Sequence, residues 1–217
     1  MVFSLITPAF AVSTSVGQLT IFCMEGNHAF LSFKNTYSDP ARIGGLSVNR
    51  GHEITIGTFN YNSHKGIWYN LDSHLYHHAG MASQFSGRVS LTTSVTQSDV
   101  DAINSYISSH DTWSQTNNCA YFAANVWNLV SSTALSASYP GNPTVLANSI
   151  RSVSGYQTNR SIPNSTPVGY VSNGLWYSST YSLTPRAYSE ISATPIYPVV
   201  ETTLPAELDL CCSVESK

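Results

Sequence analysis

Charge is what this sequence has least of. Lys and Arg number 9 and Asp and Glu 12, so charged residues make up 10% of the 217, against roughly a quarter in an average soluble domain. A net charge of −3 and a pI near 6.1 leave no basic stripe for gripping nucleic acid. Long apolar runs are missing too: none approaches the ~18 residues of a membrane-crossing helix. Cysteine is sparse, with four in all, which excludes a disulfide scaffold. Cys23 and Cys119 stand alone, Cys211 and Cys212 are adjacent, and no Cys-x-x-Cys or Cys/His spacing suits zinc.

What is present points to a folded, exported protein. Hydrophobic residues form 42% of the chain, and 4 Trp, 13 Tyr and 8 Phe are too many aromatics for a disordered one. Ser, Thr and Asn, at 34, 20 and 16, take over the surface. A short apolar run at residues 3–6 precedes Ala9-Phe10-Ala11, which has the small-x-small pattern of a signal-peptide cleavage site. Residues 1–16 therefore read as a signal-peptide remnant or, alternatively, as an N-terminal strand. The expected location is secreted or in the cell envelope.

From Gln18 the chain reads as strand. QLTIFCM and HAFLSF flank Glu25-Gly26-Asn27, a hairpin pattern. A loop follows with Asp39-Pro40 and Gly44-Gly45. Further strands are expected at 53–59, 66–71 and 88–93. Thr96, with Asp99 three residues on, resembles a capping box, and Val100, Ile103 and Ile107 recur at helical spacing; a helix over 97–109 is predicted. Cys119 opens a second amphipathic helix through Val130, and Pro143 begins a third through Arg151. Residues 168–171 and 175–181 read as strands. From Pro195 the sequence is Pro-punctuated and acidic, the pattern of a loosely held tail. A domain over 17–190, followed by a tail over 191–217, is the resulting organisation.

One pairing could carry chemistry: His28 at the start of a strand and Cys119 at the start of a helix. A helix N-terminus stabilises a thiolate, and a neighbouring imidazole completes an ion pair that is nucleophilic at neutral pH. GNHAFLSFKN followed by TNNCAYFAANVWN resembles the circularly permuted papain-like cysteine hydrolases, a superfamily that includes NlpC-type cell-wall peptidases and relatives of lecithin–retinol acyltransferase. PTVLANSI at 143–150 matches a further stretch of that pattern, and the resemblance covers 17–155. Asn27, between the glycine and the histidine, departs from it.

The resemblance implies an α+β fold: an antiparallel sheet of about five strands packed on the cysteine helix. It implies that Cys119 is the nucleophile and His28 the general base. The group orienting the histidine would come from the strand after it, where Thr55 is the candidate, with His52, Glu53 and Thr58 nearby. Helix-start N–H groups, with Asn117 and Asn118 beside them, would hold an oxyanion, and Trp113 would wall the cleft. The implied reaction is cleavage of an amide in a peptide or cell-wall peptide through a thioester, with no metal or organic cofactor. The rival readings are an acyltransferase or lipid esterase using the same dyad, and a catalytically inactive binding module. His74, His77 and His78 lack carboxylate or cysteine partners at ligand spacing except Asp72, and read as packed or solvent-facing. Asn159-Arg160-Ser161 and Asn164-Ser165-Thr166 are glycosylation sequons.

Overall fold

The computed structural model describes residues 14–179 and 193–202. Twelve strands and four helices follow one another: β1 (Ser15–Met24), β2 (His28–Asn35), β3 (Ala41–Ile43), β4 (Leu46–Val48), β5 (Glu53–Tyr61), β6 (His64–Tyr69), α1 (Leu71–His77), β7 (Val89–Thr96), α2 (Gln97–Ser109), α3 (Cys119–Val130), α4 (Pro143–Arg151), β8 (Gln157–Thr158), β9 (Gly169–Ser172), β10 (Leu175–Ser179), β11 (Ala193–Pro195) and β12 (Val199–Thr202). Nine strands join in one sheet, ordered β12-β10-β9-β6-β5-β2-β1-β7-β8, and β11-β4-β3 form a small second sheet. The α+β class is as expected. The large sheet has nine strands where about five were anticipated.

Strand register sorts the side chains onto two faces. Leu19 lies opposite Phe33, Ile21 opposite Leu31 and Cys23 opposite Ala29, and Phe33 and Leu31 in turn face Ile54 and Ile56. Paired residues share a face, so these form one apolar surface. Helices α2, α3 and α4 cover it, burying Val100, Ile103, Phe122, Val126, Leu146 and Ile150 in a single cluster with it. The alternate residues Phe22, Phe30, Phe59 and Trp68 project from the opposite face. There α1 supplies Leu71 and Leu75, a 3-10 turn at Ala82–Phe85 supplies Phe85, and Ile162 and Val168 close the second cluster. Each buried Leu, Ile or Phe stabilises by about 1.5–3 kcal/mol, so both faces hold the sheet.

The helices begin where their caps stand. Thr96 Oγ1 accepts from Asp99 N while the Asp99 carboxylate accepts from Thr96 N. Asn142 caps α4 ahead of Pro143. Elsewhere the structure departs from expectation. The 39–48 loop contains the β3–β4 hairpin, whose strands are too short to show a period. The strand expected over 66–71 stops at Tyr69, because Asn70 adopts a left-handed conformation (φ 60) and starts α1. Ser15 and Val16 already belong to β1, and residues 1–13 of the expected remnant lie outside the described residues. The expected tail is anchored in part: β11 pairs with β4, β12 runs parallel to β10, and Ala193 is wholly buried.

Candidate functional site

Cys119 sits at the first position of α3, as the sequence predicted. Asn118 is its N-cap, with Oδ1 accepting from Tyr121 N at 3.1 Å. Its amide donates to Gly141 O at 2.8 Å. The Asn117 amide donates to His110 O and Thr112 O. Both asparagines therefore spend these groups on folding the 110–118 loop and fastening it to the 141 turn. Trp113 is half-buried, and its backbone N–H donates to Lys65 O, tying the loop to β6. Cys119 itself is wholly buried on the α2–α4 side of the sheet and is disulfide-bonded. Cys23, the other cysteine among the described residues, is free.

His28 is on the other side. Side chains alternate along β2: Ala29, Leu31 and Phe33 face α3, and His28 projects with Phe30. Its imidazole packs 4.8 Å from the Phe59 ring and 6.2 Å from Phe30, both of the α1-side cluster. Nε2 lies 2.9 Å from Oδ1 of Asp72, the second residue of α1, and both side chains are fully buried. The sheet thus stands between the imidazole and the sulfur. The expected His28–Cys119 juxtaposition is not formed, because the α3 face of β2 at this point is occupied by Ala29.

Thr55 shares the His28 face but does another job. Its Oγ1 accepts from Ser73 N at 3.4 Å, and its backbone N–H donates to Asn70 Oδ1 at 3.0 Å, so it pins the start of α1. The residue that orients His28 is Asp72, which no sequence motif marks as its partner. Gly57 was its signal. A Cβ on that strand glycine would come 2.6 Å from Asp72 Oδ2 and 3.0 Å from the Phe59 ring, and a glycine inside a strand often marks such a close approach.

The pair is sealed and incompletely satisfied. His28 Nδ1 and Asp72 Oδ2 have no hydrogen-bond partner. Burial pushes the Asp72 carboxyl above its ordinary range, and the His28 imidazole pulls it partly back. The arrangement can hold and share a proton, but nothing bonded to His28 is a nucleophile. Burial also lowers His74 to about 4, helped by His78. His77 Nε2 contacts Ile162 O and His78 Nε2 contacts Asn164 Oδ1. Among the described residues no group of three or more His, Cys, Asp or Glu could hold a metal. No helix among them is long and apolar enough to cross a membrane.

A separate cleft of about 330 Å³ opens where the β3–β4 turn, the end of α2 and the β9–β10 turn meet, lined by Gly44, Tyr69, Asn104, Asp111, Val171 and Tyr197. Gly44 has φ +52 and no room for a Cβ beside the Tyr69 hydroxyl. Asn104 accepts from Gly44 N at 2.7 Å and donates to Arg42 O at 2.8 Å, which fixes the turn. Its volume is at the low end for a small-ligand site. No family model matches the chain, and no curated protein or solved structure matches it either.

Proposed function

We propose that this protein is an exported binding module for peptides rather than a thiol hydrolase. One observation carries the reading: the sheet separates His28 from Cys119. General-base activation of a thiol needs heavy atoms within hydrogen-bond reach, or one water away, and two groups on opposite sheet faces do not meet that condition. The disulfide at Cys119 supports both halves of the proposal. A sulfur in a disulfide is not a thiolate, and structural disulfides persist in oxidising compartments outside the cytosol. The acyltransferase and esterase alternatives need the same dyad and weaken with it. The low-charge surface, rich in hydroxyls and tyrosines, suits contact with neutral peptide or cell-wall peptide.

Iodoacetamide labelling followed by mass spectrometry tests this. Without reductant, Cys119 should stay unlabelled at any pH at which the protein is folded. After mild reduction its labelling should follow the same pH profile in the wild type and in His28→Ala, since the imidazole is not its partner. Labelling of native Cys119 at pH 6 that is lost in His28→Ala would restore the hydrolase.

A further inference from the structure

We propose that the outer edge of β7 takes up the C-terminal end of an extended peptide, with Arg160 receiving its carboxylate. This deepens the binding-module reading, on which it rests, by naming the ligand class and the place it binds.

Among the described residues the edge beyond β8 is open. Asn159 N donates to Arg88 O at 2.8 Å, and β8 pairs Thr158 with Val89 and Gln157 with Ser90 before it ends. Backbone groups alternate in direction along a strand, so the even-numbered residues of β7 point away from β1. Thr92 and Ser94 therefore present their N–H and C=O groups outward, where among the described residues no strand follows β8. A strand added there supplies the main-chain bonds typical of peptide capture by a sheet edge.

Polarity sets which end of the peptide matters. β8 is antiparallel to β7, and a peptide continuing that line would run from Thr96 towards Thr92. Its C-terminus would then arrive where β8 begins. A cavity of about 250 Å³ stands at that point, lined by Ser90, Thr92, Ser154, Gly155, Gln157 and Arg160. A Cβ on Gly155 would meet nothing within 4 Å, so the space beside that residue is open.

The charge fits a carboxylate. Arg160 Nη1 is held by Thr92 Oγ1 at 3.0 Å and Gln157 Oε1 at 3.3 Å, which leaves its remaining N–H groups for a ligand. Arg88, buried nearby, donates to the carbonyls of Arg160, Phe85 and Asn159. Neither guanidinium pairs with an acid among the described residues. Arg160, one of 9 Lys and Arg in the chain, lines the cavity and brings the positive charge there, while the Arg88 donors are taken up by the three carbonyls. Arginine favours carboxylates for their matching planar geometry.

The test uses acetyl-Thr-Val-Thr-Val with a free C-terminus and the same peptide as its C-terminal amide, titrated into the full chain by NMR. The free acid should bind saturably and shift the amide signals of Thr92 and Ser94. The C-terminal amide should bind at least about ten-fold more weakly, as expected for loss of a charge-assisted pair. Arg160→Gln, at a half-buried surface position, should abolish the difference between the two peptides. Ser94→Pro, which removes an outward N–H, should weaken both. Equal binding of acid and amide, indifference to Arg160→Gln, shifts confined to other regions, or no saturable binding of the acid would overturn the proposal. If that happens while reduced Cys119 labels identically with and without His28, the site assignment alone has failed and the non-catalytic reading stands.

Discussion

The buried pair His28–Asp72 is a costly local arrangement. Two ionisable groups lie at zero exposure with one polar atom of each unpartnered, a state that persists only because neighbouring packing holds it. Removing one member of such a pair costs about 3–5 kcal/mol, so Asp72→Ala should lower unfolding free energy by that amount in urea titrations. Asp72→Asn should cost much less, and it exposes the pH dependence. Asp72 has a folded pKa above its ordinary 3.8, so its neutral form favours folding. That contribution is complete below about pH 3.8 and is lost as pH rises through the folded value. The stability of the wild type relative to Asp72→Asn should therefore decline as pH rises from 3.8. His74 works in the opposite sense. Its folded value of about 4 lies below its ordinary 6.5, so stability is complete above 6.5 and falls as pH drops from 6.5 to 4. His74→Gln should flatten that acid limb in thermal melts recorded across the window.

At the scale of elements, the caps govern where the helices start. The Thr96–Asp99 box opens α2, and Asn118 opens α3 while its amide also grips Gly141. Thr96→Ala should cost about 1 kcal/mol, in the ordinary range for a lost N-cap. Asn118→Ala should cost more, because it also releases the buried bond to the 141 turn. Urea denaturation of both variants checks the ranking; an Asn118→Ala as mild as Thr96→Ala would show that the turn is held by other contacts. The strands differ in kind. β1 and β2 are buried on both faces, so their apolar residues run continuously and their alternation is hidden. Which residue faces which helix is therefore a matter of pairing, and pairing is what put Ala29 rather than His28 beneath α3.

Across the whole molecule, the chain returns to the sheet after the helical half. β9 and β10 extend the sheet beyond β6, β12 adds to β10, and β11 completes the small sheet against β4. Truncation after residue 192 should remove two strands and the buried Ala193, and so lower the melting temperature measurably. For a chain of this size each 1 kcal/mol corresponds to about 2–4 °C. An unchanged melting temperature would mean that β11 and β12 contribute nothing to stability.

The sequence alone determined the features that are local. The β1–β2 hairpin follows from two β-rich runs around a glycine turn. Helices α2, α3 and α4 follow from apolar spacing with Thr96, Cys119 and Pro143 marking their starts, and all three stand where those residues place them. Only the tertiary structure decided the rest. The three-residue strands carry no readable period, and β11 and β12 exist because partners across the sheet satisfy their backbones. The site depended on the same non-local information. A helix-start cysteine and a strand-start histidine are each legible, but a one-residue difference in strand phase sends a side chain to the opposite face. That phase joined His28 to Asp72 beside Gly57 and left Cys119 on the far side of the sheet.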